Sequence, residues 1–125
     1  MSGVVFDTGA LIALDRGLRE VVVLVAEARQ EHDTITVPAS CVAQAWRAPA
    51  RQARLAGFLR LPNVDIVALD DTEARRVGLL LAGTHTVDVV DAHVAICGQR
   101  LGQAVLTSEP VDILRLAPSI LVHRV

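Results

Sequence analysis

The chain has 125 residues with 14 acidic and 12 basic side chains, and 52% of its residues are hydrophobic. This size suits one globular domain with a real core, and the apolar share excludes a disordered chain. A net charge of −2 argues against a surface that coats nucleic acid at large, so any such contact must be local. No apolar run reaches the length of a membrane span, and no basic region precedes an apolar stretch at the N-terminus. We therefore expect a cytoplasmic protein that does not bind membranes.

Strand-like segments alternate with helix-like segments along the chain. The predicted strands are 3–6, 34–37, 64–69, 104–108 and 120–123. The predicted helices are 10–14, 18–29, 38–46, 47–61, 70–83, 86–101 and 110–116. Such alternation implies right-handed crossovers and a parallel sheet covered by helices on both faces. We predict a single three-layer α/β/α domain over residues 1–125, with a central parallel sheet of four to five strands.

The first predicted strand ends in a carboxylate. Val4-Val5-Phe6 runs into Asp7, and the turn Thr8-Gly9 leads to an apolar helix. In open parallel sheets the ligand crevice lies at the carboxyl ends of the strands, so Asp7 is a candidate for chemistry. Asp is also a favoured helix N-cap, and that ordinary role stays open for Asp7. The choice depends on whether other carboxylates reach the same edge of the sheet.

Three further acids are expected near that edge. Glu109 follows the fourth strand as Asp7 follows the first, and Asp88 and Asp91 open the preceding helix with a spacing that puts both on one face. The alternative is that Asp88 is an N-cap with Asp91 in the first helical turn, where the helix dipole favours an acid. For Asp70 and Glu73, which have the same spacing, we accept the capping interpretation.

The surroundings of Asp91 favour a metal. The next residues, 92–98, are mostly small and apolar, which indicates a helix pressed against the sheet. A carboxylate opening a buried helix costs several kcal/mol unless it is paired or bound to a metal. The chain has no lysine to neutralise it, whereas a divalent cation would.

Other chemistries leave no signature here. The sequence has no dinucleotide-binding glycine pattern, no Walker A loop, no nucleophile elbow and no zinc-protease pair of histidines. His93 should point away from Asp91, so we expect it to be structural or partly exposed. A phosphotransferase built on Asp7 is disfavoured because Gly9 stands where its second carboxylate is expected. Cys41 and Cys97 are far apart in sequence, and we expect both to be reduced and buried.

The chain resembles the PIN-domain family, and within it the VapC-type toxins of bacterial toxin–antitoxin systems. The resemblance covers nearly the whole chain and rests on the segments 5–14, 37–47, 90–95 and 106–112. It implies a metal-dependent endoribonuclease whose acidic residues hold Mg²⁺ or Mn²⁺. It also implies an RNA substrate, a cognate antitoxin and a homodimer.

The family's acidic positions map onto this sequence with two departures. Asp7 and Asp91 match the first and third acidic positions, Glu109 falls where the family usually has Asp, and Asp112 matches an acid commonly found just after it. The resemblance therefore implies that all four are catalytic and that Asp7, Asp91 and Glu109 bind the metal. The second acidic position falls on Gln44, which contributes no charge, so weaker metal binding is expected.

Several other residues are candidates for accessory roles. Asp88 would flank the pocket, and Thr8, Thr107 and Ser108 would position the acids by hydrogen bonds. Arg47, Arg51 and Arg54 fall at helical spacing on one face of the predicted helix 47–61, where they would clamp RNA phosphates. A solvated or partner-facing stripe is the alternative for these arginines.

Two functions of different class remain open. The first is a Mg²⁺-dependent ribonuclease toxin whose antitoxin segment binds an apolar groove between the helices at 18–29 and 49–61. The second is a weakened or inactive PIN-like domain that binds RNA or protein, which the missing acid at Gln44 makes plausible.

Overall fold

The computed structural model describes residues 3–125, so the first two residues of the predicted domain lie outside it. Five strands form one sheet: β1 Gly3–Phe6, β2 Thr34–Pro38, β3 Val64–Val67, β4 Ala104–Thr107 and β5 Val122–Arg124. Their order across the sheet is β3-β2-β1-β4-β5, and every neighbouring pair is parallel. The prediction of an α/β fold with a central parallel sheet is confirmed, and β1 is its central strand.

Within residues 3–125, seven α-helices connect the strands. They are α1 Thr8–Asp15, α2 Arg19–Glu31, α3 Ala39–Ala45, α4 Ala53–Leu59, α5 Asp71–Thr84, α6 Val89–Leu101 and α7 Pro110–Leu116. The predicted helix 110–116 coincides with α7. Pro38 ends β2 instead of opening α3. Helix α5 continues past Gly83 to Thr84, and His85 takes the left-handed cap position with φ 55°. Helix α6 begins at Val89, later than the predicted residue 86, because Asp88 is its N-cap.

The core lies on both sides of β1. Val5 and Phe6 are fully buried, and the Phe6 ring stacks on Phe58 of α4 with 5.4 Å between centroids. Helix α6 packs against β1, β2 and β4 and is buried from Ala92 to Gly98. A smaller apolar cluster fills the space between α6 and its neighbours α5 and α7. The burial of α6 fixes the position of its first turn, which carries Asp91.

The predicted helix 47–61 is confirmed only for α4, Ala53–Leu59, and a buried amide marks the break before it. The chain forms a 3-10 turn at Pro49–Arg51 before α4 begins at Ala53. Between them, the Gln52 side chain accepts hydrogen bonds through Oε1 from the backbone N–H groups of Arg47 (2.8 Å) and Ala48 (2.9 Å). Its Nε2 donates to the carbonyl oxygen of Ala45 at 2.8 Å. These bonds satisfy backbone groups around the loop between α3 and the 3-10 turn and hold the chain in its non-helical path.

Cys41 and Cys97 are both free and buried, as predicted. Within residues 3–125, no helix by itself is long and apolar enough to cross a bilayer. Helices α5 and α6 satisfy that test only as a pair bent by 104°.

Candidate metal centre

The site is built where β1 and β4 end side by side. Phe6 pairs with Leu106 in the sheet register, and the backbone N–H of Asp7 donates to the Leu106 carbonyl oxygen at 3.1 Å. The chain leaves β4 at Thr107, so the segment that carries Glu109 starts beside Asp7. A cavity of about 250 Å³ opens at this edge and is lined by Asp7, Thr8, Gly9, Ile12, Gln44, Asp88, Val90, Asp91, Ser108 and Glu109.

Asp7 has both of the roles that its sequence position suggested. It is the N-cap of α1, because its Oδ1 accepts a hydrogen bond from the backbone N–H of Ala10 at 2.8 Å. It is 5% exposed and also lines the cavity. Burial raises the pKa of its carboxyl group, and hydrogen bonds from Thr107, Ala10 and neighbouring backbone groups only partly offset that effect. Capping and site lining are therefore compatible in this residue.

Asp88 and Asp91 divide their roles at the start of α6. Asp88 is the N-cap and accepts the backbone N–H of Asp91 at 2.9 Å, so the capping interpretation is right for this residue. The Asp91 carboxylate is partly buried and faces other acids. Burial, followed by the charges of Asp88, Glu109, Asp112 and Asp7, raises its pKa to about 7. Because burial and the neighbouring acids destabilise the ionised carboxylate, a positively charged ligand would be favoured here.

Glu109 and Asp112 complete the cluster from the β4–α7 side. Carboxylate oxygens of Asp91, Glu109 and Asp112 all lie within 4.8 Å of one another. The pKa of Glu109 is raised, chiefly through a hydrogen bond with Asp112. The Glu109 backbone N–H donates to the Thr107 hydroxyl oxygen at 2.8 Å, which holds the turn. The predicted metal ligands were Asp7, Asp91 and Glu109, whereas the three acids found close together are Asp91, Glu109 and Asp112. Asp7 lines the same cavity as Asp91 and Glu109.

Gln44 also lines the cavity. Its Oε1 accepts a hydrogen bond of 2.6 Å from the Thr8 hydroxyl group. The amide is therefore oriented by the residue that follows Asp7. It adds hydrogen-bonding capacity to the site without adding charge.

A second group of potential metal ligands provides a contrast. Glu73, His93 and Cys97 are buried and close together, but Glu73 Oε2 accepts from Arg76 and Arg100, both at 3.1 Å. Its Oε1 lies 3.4 Å from Nε2 of His93. This carboxylate is thus neutralised by arginines. Glu73 is not merely part of a cap, although the Asp70 side chain does accept its backbone N–H at 2.9 Å.

His93 is a structural residue, as predicted, but it is fully buried and not partly exposed. Its Nδ1 lies 2.9 Å from the Ser40 hydroxyl oxygen, which links α6 to α3. Burial lowers the pKa of the imidazole and raises the pKa of the Cys97 thiol to about 12. Both groups are therefore neutral near pH 7, in keeping with a packed polar network.

The acids at the sheet edge fit a divalent cation. None of the ion pairs found between residues 3 and 125 involves Asp7, Asp91, Glu109 or Asp112. Hard cations such as Mg²⁺ prefer carboxylate oxygens, and the cluster offers several within one ion's reach. Larger cavities, of about 360 and 490 Å³, lie near the amino ends of β1 and β4. The part of the chain described by the structure has no ligand group of this kind there.

The three candidate RNA-binding arginines do not share a helical face. Arg47 lies in the loop, and its Nη1 donates to the carbonyl oxygens of Ala43 (2.8 Å) and Trp46 (3.1 Å). Arg51 belongs to the 3-10 turn, and Arg54 donates to the Asp15 carbonyl oxygen at 3.0 Å. The premise of a continuous stripe is wrong because Gln52 interrupts the helix.

Sequence reasoning missed a basic residue beside the acids. A second cavity, of about 340 Å³, shares Asp88 and Asp91 with the first and is also lined by Asp112 and Arg115. Asp112 and Arg115 are three residues apart on α7 and so lie on one face of it. The helix was predicted with the right bounds, so this spacing could have indicated from the sequence that Arg115 lies beside Asp112.

A scan against protein-family models finds no match, and a search of curated protein sequences finds none either. Solved structures do match over nearly the whole chain. A chain in the DNA-bound VapBC complex from Salmonella typhimurium is 18% identical with a TM-score of 0.72, covering 99% of this chain and 98% of that one. A chain in VapBC2 from Rickettsia felis, bound to a promoter DNA fragment, is 12% identical with a TM-score of 0.67, covering 98% of this chain and 98% of that one.

A toxin–antitoxin complex from Klebsiella pneumoniae matches similarly, at 19% identity and a TM-score of 0.68, with 96% and 95% of the two chains covered. At these identities the likeness establishes the fold. The chain has a PIN-like α/β fold, which confirms the fold that the resemblance in the sequence implied.

Proposed function

We propose that this protein is a metal-dependent endoribonuclease that hydrolyses RNA phosphodiester bonds and acts in the cytoplasm as the toxin of a type II toxin–antitoxin system. One observation carries the proposal. Carboxylates from β1, α6 and the β4–α7 turn converge on one cavity, and no arginine or histidine pairs with them in residues 3–125. The PIN-type fold is consistent with this activity.

Asp91, Glu109 and Asp112 would hold Mg²⁺ or Mn²⁺, with Asp7 bordering the ion. When bound, the cation supplies charge neutralisation and Lewis acidity for phosphodiester hydrolysis. Because the metal-free pKa of Asp91 is about 7, binding at neutral pH should release part of a proton from this residue.

Other side chains of the cavity position these groups. Thr107 fixes the turn that carries Glu109, and Thr8 orients the Gln44 amide. Since the Gln44 oxygen is engaged, its N–H groups remain as donors for a phosphate oxygen. These roles agree with the accessory functions predicted for Thr8, Thr107 and Gln44, and they stay predictions.

The direct test is RNA cleavage by Asp7→Asn and Asp91→Asn in the presence of Mg²⁺ or Mn²⁺. Each substitution removes a charge while nearly preserving shape, so we expect cleavage to fall more than about a hundredfold, beyond what loss of an outer-shell partner costs. Asp71→Asn is the matched control, because Asp71 also lies in the first turn of a helix but is exposed and does not line the cavity. Full activity in either site variant would refute the assignment.

A binding module without catalysis is the second candidate, and Gln44 favours it. A neutral residue in this position lowers the negative charge available to hold an ion. Calorimetric titration with Mn²⁺ separates the two functions. Saturable binding below millimolar ion that Asp91→Asn abolishes supports the nuclease, and absence of binding supports the module.

The antitoxin and the homodimer are part of the same proposal. The matching structures are described as toxin–antitoxin complexes. Helix α2 exposes Val22 and Val23, and Leu18 at its N-cap is 42% exposed, which provides apolar surface for an amphipathic segment. Co-expression with the neighbouring reading frame and pull-down tests the antitoxin, and light scattering after gel filtration tests the dimer.

A further inference from the structure

Arg115 stands beside an acidic centre without being neutralised by it. The second cavity places it with Asp88, Asp91 and Asp112. The three-residue spacing from Asp112 would permit an ion pair along α7. Yet no ion pair in the described part of the chain, up to 4.0 Å, involves Arg115. Asp112 instead lies with Asp91 and Glu109, and carboxylate oxygens of the three are within 4.8 Å of one another.

This arrangement differs from that of five other arginines, each of which has a hydrogen-bond partner. Arg76 and Arg100 both contact Glu73, and Arg75 contacts Asp71. Arg47 and Arg54 are engaged with backbone carbonyl groups. The exposed guanidinium of Arg115 keeps its fork of donors available, and such a fork binds phosphate in a bidentate manner.

The rest of the second cavity suits a nucleic-acid backbone. His85 lines it and can offer a hydrogen-bond donor, and Thr86 lines it with a hydroxyl group that already donates to Thr84, because the Thr84 hydroxyl group donates to the Leu80 carbonyl oxygen. Asp88 and Asp91 line both cavities, so the two lie next to each other around the start of α6. A strand crossing the carboxylates would have one phosphate at the acids and a neighbouring one at Arg115.

We propose that Arg115 binds a backbone phosphate of single-stranded RNA directly beside the carboxylate centre, and that the cavity lined by His85, Thr86 and Arg115 holds the strand next to the cleaved bond. The part of this proposal that concerns the cleaved bond rests on the proposed nuclease function. The phosphate contact itself would also serve a non-catalytic RNA-binding module. It offsets the repulsion that a polyanion meets at an acidic site.

The test measures binding of a fluorescent single-stranded RNA of mixed sequence by anisotropy, with Mn²⁺ present, in the cold, and with RNA integrity checked on gels. The variants are Arg115→Gln, Arg115→Lys and the control Arg29→Gln. Arg29 is an exposed arginine of α2, whose neighbours Ala28 and Glu27 border a cavity near the amino ends of the strands. We expect Arg115→Gln to weaken binding about five- to twentyfold and to lower the salt dependence by about one phosphate contact.

Arg115→Lys should recover part of the affinity, since it keeps the charge and loses the fork. Where cleavage is measurable, Arg115→Gln should raise KM more than it lowers kcat, and the Mn²⁺ affinity of the variant should be equal or higher. Equal RNA affinity of Arg115→Gln and Arg29→Gln would overturn the proposal, as would a wild-type protein that binds no RNA. If wild type binds RNA through Arg115 but cleaves none, the phosphate site stands and the nuclease activity fails.

Discussion

The substitution Asp91→Asn should stabilise the metal-free protein at pH 8. In the folded state the pKa of Asp91 is raised from 3.8 to about 7, because the carboxylate is partly buried among Asp88, Glu109, Asp112 and Asp7. Between these pH values the folded protein binds more protons at this group than the unfolded chain does. The contribution of Asp91 to stability therefore falls as pH rises from about 4 to about 7, and the full penalty is present above that range.

The size of the penalty follows from the pKa shift. A change of about three units corresponds to roughly 4 kcal/mol at most. The group is partly exposed, so solvent screening reduces this to about 1–2 kcal/mol. Losing the charge also removes a favourable interaction with the N-terminal end of α6, worth about 0.3–1 kcal/mol. The net gain of about 1 kcal/mol should raise Tm by about 4 °C at pH 8.

Thermal unfolding in a chelator at pH 5 and pH 8 measures this effect. The difference between Asp91→Asn and wild type should be smaller at pH 5 than at pH 8. It should shrink or reverse when Mn²⁺ is added, since only wild type gains from the ion. Asp71→Asn makes the same charge change at an exposed position paired with Arg75 and should show no gain. An Asp91→Asn protein no more stable than wild type at pH 8 without metal would refute the electrostatic argument.

Three further substitutions test other parts of the structure. Gln44→Glu restores the missing acid, keeps an acceptor for Thr8, and should increase Mn²⁺ affinity about tenfold by calorimetry; unchanged affinity would place residue 44 outside the ion's reach. Glu73→Gln leaves two arginines without a carboxylate and should cost about 1–3 kcal/mol in urea unfolding while leaving Mn²⁺ affinity unchanged; a loss of Mn²⁺ binding would contradict the separation of the two clusters. Gly9→Ala would bring a methyl group into Ser108 and should destabilise the fold by about 1–3 kcal/mol; wild-type stability would show that this contact yields freely.

Elements with strong local signals were predictable from the sequence. The first strand and Asp7 followed from an apolar run that ends at an acid and a turn, and the predicted bounds of the helix 110–116 match those of α7. The arrival of Asp7 and Glu109 at one cavity followed from the rule that parallel strands end at a common edge. For these features the local pattern and the global fold agree.

The remaining differences depend on contacts between distant groups. Gln52 interrupts a helical pattern through hydrogen bonds that no propensity encodes. Glu73 looks like part of a helix cap in sequence, but its partners His93 and Arg100 come from another helix. The closeness of Asp112 to Asp91 depends on the angle at which α7 leaves β4, which spacing along the chain does not give.

The double role of Asp7 bears on how the site responds to a ligand. Its carboxylate is held by the first turn of α1 before any ion arrives, because Oδ1 accepts the Ala10 N–H group. The ordering of this side chain is therefore completed during folding, and ligand binding need not supply that entropy. The same bond makes the Ala10 amide a built-in reporter: an ion that draws charge from Asp7 should alter its hydrogen exchange and chemical shift. Occupancy of the centre would then be readable from the backbone of a helix that contributes no other acid to it.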